Sequence, residues 1–180
     1  MSEVVIRCAA PDDAGAIAAV QRKSWRDTYA GWIPDIVAGL DLERTTANWA
    51  RAAIDPAQHV AVATIDGRVV AYALTGGPEP DSIDPHEDPQ LAGELHALYA
   101  DPAVHGLGIG RALVDDALRI LAADGRDRCM VWAIECNTRS RGFYEHLGFR
   151  LDPAPARTWR GLHQVRYRRP IPTAPDDTAR

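Results

Sequence analysis

Apolar and polar positions alternate through residues 59–65, and residues 68–75 return as a partner strand across Asp66 and Gly67, a dipeptide suited to a tight hairpin turn. Val4–Cys8 is a short β-prone run, residues 94–100 alternate again, Arg128–Ile134 is an apolar buried strand, and residues 162–169 alternate like an edge strand. Arg150 and Leu151 begin a sixth strand. A period near 3.6 replaces the period of two where Ile17, Val20 and Trp25 recur, with Asp12 or Asp13 placed to cap the helix. The same holds over residues 41–53, and again where Ile109, Leu113, Ala117, Ile120 and Leu121 share a face. Pro34 and Asp35 start a further short helix, and one more runs from Asn137 to a left-handed cap at Gly148. This order predicts an α/β fold with a mixed sheet of about seven strands, in one domain over residues 1–170 with a frayed tail from 171 to 180.

The chemistry concentrates in residues 94–121. A strand ends at Asp101 and Pro102, then His105, Gly106, Leu107, Gly108, Ile109 and Gly110 lead into a helix. The first N–H groups of a helix have no internal partner, and its dipole adds about half a positive charge there. Glycines let backbone come close to an anion, so a phosphate-bearing ligand suits the arrangement. The loop is not a Walker A, because Arg111 and Ala112 follow Gly110 where lysine is needed, and the third glycine of a dinucleotide fingerprint is missing.

Composition narrows the ligand. The net charge of −5 argues against a general nucleic-acid binder; Arg166, Arg168 and Arg169 read as a solvated strand face. Cys8, Cys129 and Cys136 make no CxxC, so they read as buried structural thiols in a reducing compartment, without metal or disulfide. No signal peptide or membrane span is visible, which predicts a cytoplasmic protein with no membrane partner. Residues 76–90 hold four prolines and five acids and read as an exposed loop: a solvated linker, or a lid attracting cationic substrates.

His105-x-x-Gly108-x-Gly110, followed later by Asn137-x-x-Ser140-x-x-Phe143-Tyr144-Glu145-x-x-Gly148-Phe149, resembles the two signatures of the GNAT superfamily of acetyl-CoA-dependent N-acetyltransferases. Ser140 stands where alanine is usual, and His105 where glutamine or arginine is. Ser24, Trp25, Arg26, Tyr29, Gly31 and Pro34 are similar to one subgroup. The resemblance implies the GNAT fold and acetyl transfer from acetyl-CoA to a primary amine. It implies that main-chain groups of Leu98, Tyr99 and Ala100 hold the pantetheine as an added strand would. Amides of His105, Gly106, Leu107, Gly108, Ile109 and Gly110, with Arg111, would cradle the pyrophosphate, and Asn137 would meet the pantetheine.

Amine acetylation needs a base for the amine, a donor to the thioester carbonyl and a donor to the leaving thiolate. Tyr144 fits the last role, an N–H near Ala100 the second, and Glu94 or else His96 the first. Trp25, Tyr29 and Trp32 lie where the family builds its acceptor pocket, suited to an amine by cation–π contact or to plain core packing. The competing functions are a non-catalytic acyl-CoA sensor or scaffold and a nucleotide-binding α/β protein of another family. The acceptor is an unspecified small-molecule or peptide amine, and homodimers are frequent among proteins of this kind.

His105 generates a first prediction. A histidine gains charge as pH falls toward its ordinary range, so acetyl-CoA affinity, measured by calorimetry, rises from pH 8 to pH 6 and becomes flat over that range in His105→Arg. An unchanged pH dependence in that variant removes the idea.

Overall fold

The computed structural model describes residues 3–172, without the side chains of residues 154–156. The strands are β1 (Val4–Cys8), β2 (Gln58–Ile65), β3 (Arg68–Gly76), β4 (Ala92–Ala100), β5 (Arg128–Ile134), β6 (Arg150–Trp159) and β7 (Leu162–Pro170). The helices are α1 (Ala14–Tyr29), α2 (Pro34–Ala38), α3 (Leu42–Ala52), α4 (Ile109–Ala123) and α5 (Thr138–His146). The strands form one seven-stranded sheet ordered β1-β2-β3-β4-β5-β7-β6. Pairing is parallel between β4 and β5, through Ala92–Glu94 against Arg128–Met130, and antiparallel at β1–β2, β2–β3, β5–β7 and β6–β7. Parallel neighbours need a crossover, and α4 supplies it. Two expectations shift: β4 begins at Ala92 rather than at Glu94, and β7 lies inside the sheet with β6 at its edge.

By its internal contacts the chain divides into two compact units, Met1–Gly76 with His96–Ala117, and Gly77–Leu95 with Leu118–Arg180. In the first, Ala9, Ile17, Val20, Val60, Val62 and Tyr72 form a buried cluster against which Trp49, Leu74, Ala97 and Tyr99 pack. The β2–β3 turn is the one its dipeptide implies, with Asp66 at φ 49° and Gly67 at φ 77°, the mirror-image turn whose twist matches the strands. Asp41 caps α3 by accepting from the Arg44 N–H at 3.0 Å. Asp13 does not cap α1: its carboxylate is bound by Arg7 at 2.7 and 2.8 Å and by the Ala10 N–H at 2.8 Å. The two-pronged charged bond to Arg7 turns the carboxylate back toward β1 and away from the first amides of α1.

In the second unit, α5 ends as its glycine predicts. Gly148 has φ 83°, the Phe149 N–H reaches the Tyr144 carbonyl and the Gly148 N–H the Glu145 carbonyl, each at 3.0 Å. That pair of bonds is the Schellman closure, and its customary apolar contact is present as the Tyr144 and Phe149 rings, 5.7 Å apart at 66°. Ile171 is not part of a frayed tail, because its N–H reaches the Asp127 carbonyl at 2.7 Å and its side chain is buried; residues 173–180 lie outside the described residues. Among the described residues no helix is long and apolar enough to cross a membrane.

Gly93 has little room around it. A Cβ built there would stand 2.4 and 2.6 Å from the two Cδ atoms of Leu121, itself 1% exposed. Gly93→Ala is therefore expected to destabilise by about 1–3 kcal/mol through overpacking. Gly15→Ala, in open space on α1, gains up to about 1 kcal/mol from helix propensity. Chemical denaturation of both variants checks this; equal shifts would show that Leu121 yields freely.

Candidate active site

The glycine loop starts from a braced corner. Asp101 accepts from the Ala103 N–H at 3.0 Å, closing a single 3-10 turn over Pro102–Val104, and its other oxygen meets Lys23 of α1 at 2.6 Å. Gly106 and Gly108 then adopt φ 84° and 78°, a backbone hand that costs an L-residue about 1–2 kcal/mol. Nothing lies within 4 Å of a Cβ built at either glycine, so chirality rather than crowding by this chain requires them, and the surface above them is open. Gly110, by contrast, is an ordinary helical residue. Ile109 is buried and starts α4, whose first ladder bond runs from the Ala112 N–H to the Gly108 carbonyl at 3.0 Å. The amides of Ile109, Gly110 and Arg111 precede that ladder, and together with the dipole they make an anion seat. His105, Leu107 and Arg111 are exposed around it.

Trp25, Tyr29 and Trp32 do come together, but mostly inward. Trp25 is 5% and Tyr29 7% exposed, and only Trp32, at 39%, faces out. Tyr29 touches Trp25 at 5.8 Å, Trp32 at 6.1 Å and Tyr99 at 6.4 Å, and the Tyr29 and Tyr99 hydroxyls sit 3.2 Å apart. Two partners went unrecognised in the sequence: Tyr72, 5.7 Å from Tyr99, and Trp49, 4.7 Å from Tyr72. Both lie on elements whose apolar periodicity accounts for them as core, which hides any second role. Tyr72 is fully buried and its hydroxyl has no hydrogen-bond partner among the described residues. Burial, with Tyr29 adding, holds that phenol well above its ordinary range.

In the second unit Glu94 is 3% exposed, not a solvated charge at a strand start. Its Oε2 accepts the Glu79 N–H at 3.0 Å. Two residues on, in the first unit, His96 is half-buried, and its imidazole lies 3.5 Å from where a Cβ on Gly76 would be. Asn137 caps α5, its side-chain oxygen accepting from the Ser140 N–H at 3.0 Å. Ser140, the departure from alanine, donates its hydroxyl to the Asn137 carbonyl at 3.2 Å. Tyr144 is 8% exposed between Phe143 and Phe149.

The acidic loop differs most from its sequence. Its carboxylates are bound to arginines of β6 and β7: Asp81 to Arg157 at 3.4 Å, Asp84 to Arg166 and to Arg168 at 3.1 Å, and Glu87 to Arg168 at 2.5 Å. Ser82 at its centre is fully buried, and Arg166 is 2% exposed. The loop is thus no free linker: Asp84 and Glu87 are tied to arginines, Asp81 stays largely exposed beside Arg157, and Arg166 is no solvated face residue. The sequence signal was present in the alternation of Arg166 and Arg168 beneath an acid-rich segment, but nothing local paired the two. Of the three cysteines, all free thiols, only Cys129 is buried as expected, and there burial above all, then the charge of Glu94, pushes the thiol up to about 12; Cys8 and Cys136 are exposed. Among the described residues no group of three or more His, Cys, Asp or Glu side chains is placed to hold a metal ion.

Comparison with known proteins now bears on these parts. Residues 19–149 match the family described as acetyltransferase (GNAT). An uncharacterised N-acetyltransferase of Mycobacterium tuberculosis is 32% identical over 130 residues, 71% of this chain and 75% of that protein. A mycothiol acetyltransferase of Beutenbergia cavernae is 47% identical over 57 residues, which are 32% of this chain and only 19% of that protein. Among solved structures, an N-acetyltransferase from Thermoplasma acidophilum in complex with coenzyme A superposes with TM-score 0.69 at 20% identity, covering 91% of this chain and 98% of that one. A putative acetyltransferase from Salmonella typhimurium with acetyl-CoA gives 0.72 at 24% identity, covering 98% and 99%.

The loop's ion pairs carry a definite pH sign. Hydrogen bonding to Arg166 foremost lowers Asp84 from its usual range, and to Arg168 foremost lowers Glu87. A carboxylate depressed in the folded state stabilises it fully above the unfolded value and loses that contribution as pH falls through the folded one. Protection of loop amides from hydrogen exchange is therefore expected to hold from pH 8 to pH 5 and to fall below about pH 4, earlier in high salt. Equal protection at pH 3 and pH 7 would contradict the clamp.

Proposed function

The chain belongs to the acetyltransferase (GNAT) family, and we propose that it transfers an acetyl group from acetyl-CoA directly to a primary amine, as a single N-acetyltransferase domain over residues 1–170. The observation that carries this reading is the glycine loop, where two left-handed glycines with open space above them stand before the N-terminus of a fifteen-residue helix. That cradle fits a pyrophosphate: a backbone free of side chains on its outer surface, and unladdered amides at a helix start. The coenzyme supplies the activated acyl group as a thioester.

The chain's own groups take the remaining parts. Main-chain groups of Leu98, Tyr99 and Ala100 hold the pantetheine arm, and amides from His105 to Gly110, with Arg111, hold the phosphates. Asn137, whose side-chain oxygen Oδ1 is engaged by the Ser140 amide, offers its side-chain NH₂ as donor to the same arm. Glu94, with His96 as the alternative, takes the proton of the attacking amine. An N–H at Ala100 polarises the thioester carbonyl, and the Tyr144 hydroxyl protonates the departing sulfur. The exposed rim at Trp32 is where an amine first meets aromatic surface, ahead of buried Tyr29 and Trp25. The short match to mycothiol acetyltransferases supports the acetyl-transfer half of this reading and leaves the acceptor open to measurement.

Coenzyme A at a hundredfold over its dissociation constant should stabilise the protein by about 2.7 kcal/mol, while ATP and NAD should not. Thiol release across spermidine, lysine amide, glucosamine and an alanine-leading peptide should identify an acceptor. On that acceptor Glu94→Gln lowers kcat by about 10²-fold and Tyr144→Phe by about 10-fold to 10²-fold, with little change in KM for acetyl-CoA. Tight coenzyme binding with no turnover on any amine would instead identify a non-catalytic acyl-CoA sensor.

A further inference from the structure

Glu94 is buried, and a carboxylate in that position serves as a base only if its oxygens are aimed. The aim is set from outside its own strand. Oε2 accepts from the Glu79 N–H at 3.0 Å. Glu79 belongs to the loop between β3 and β4, and its carbonyl accepts the Ser82 N–H at 2.9 Å. The Ser82 carbonyl accepts from Arg166 Nη1 at 2.6 Å. Three hydrogen bonds in series therefore join a guanidinium on β7 to the carboxylate on β4. We propose that Arg166 is a positioning residue for Glu94, acting through the Glu79–Ser82 turn to fix the carboxylate that takes the amine's proton. This rests on the reading of Glu94 as the base.

All three guanidinium nitrogens of Arg166 are engaged, two of them with the loop that carries that turn. Nε binds Asp152 on β6 at 2.6 Å, and Nη2 binds both oxygens of Asp84 at 3.2 and 3.1 Å. Arg166 therefore pins the loop twice, by backbone at Ser82 and by side chain at Asp84. Ser82 is held from its other end as well, its Oγ accepting from Trp132 Nε1 at 2.9 Å and from Arg157 Nη1 at 3.0 Å. A turn so constrained presents the Glu79 amide in one place. Lysine cannot reproduce the arrangement, because it offers no planar fork for three directions at once.

Arg166→Lys and Asp84→Asn test the chain, and the carboxylate of Asp84 is 43% exposed, so the second variant carries the test if the first fails to fold. Hydrogen exchange at the Glu79 amide, read by nuclear magnetic resonance without any acceptor, is expected to speed by about 10-fold or more in each variant while amides of the β2–β3 ladder stay as they were. With the amine that releases most thiol, each variant lowers kcat by about 10-fold to 10²-fold with KM for acetyl-CoA unchanged. In a Glu94→Gln background the same substitutions lower kcat no further. Unchanged exchange at Glu79, or an equal further loss in the Glu94→Gln background, overturns the proposal. Full activity of Glu94→Gln alone overturns the base reading instead, and the exchange measurement still decides whether Arg166 fixes Glu79.

Discussion

A guanidinium with almost no solvent access has to be given acceptors by the chain, since an ion left unpaired in the interior costs several kcal/mol. Arg166 is that group. Its surroundings read as an answer to this requirement: a carboxylate from β6, a carboxylate and a carbonyl from the loop before β4. The loop has four prolines and little apolar content of its own, so it lacks the means to bury itself. Order comes to it from the arginines of the sheet. Once it is ordered, its backbone reaches Glu94.

The parts of the proposed machinery are thus supported in different ways. Glu94 depends on ionic contacts far away in sequence. Tyr144 depends on α5 ending on Gly148, because the Phe149 amide bonds its carbonyl and the Phe149 ring packs against its ring. A second fastening ties the same helix to the sheet, where the Tyr167 hydroxyl donates to Glu145 at 2.6 Å and accepts from Arg141 at 3.0 Å. The glycine loop depends on the left-handed backbone of Gly106 and Gly108 and on the corner that Asp101 and Lys23 brace before it. Acid, salt and a lost methyl group would act on these supports unequally.

Local rules made much of this legible. The Asp66 and Gly67 turn, the cap at Asp41, the break at Asp101 and Pro102 and the closing glycine at 148 each depend on neighbours within a few residues, which a linear reading contains. The left-handed turns at Gly106 and Gly108 before a helix were readable for the same reason. What escaped depends on pairing over long separations. Asp13 was read as a cap because its partner Arg7 sits on another element. β7 alternates as an edge strand would, because Gln164, Arg166 and Arg168 point to one face; only the sheet order shows the strand flanked on both sides, and only the loop's contacts show that face covered. Arg160 and Gly161 form a second turn of the same hand, φ 51° and 82°, but arginine does not advertise a left-handed backbone as aspartate does.

The paired loop also redraws the protein's electric field. The sequence carries 25 acidic against 20 basic side chains, and a charge plot along the chain puts its deepest minimum in the segment from Glu79 to Asp88. Asp81, Asp84 and Glu87 have arginines at their side, so three of that segment's five acids are opposed by a nearby positive charge. An approaching polycation would therefore be drawn to this segment less strongly than its run of acids alone implies.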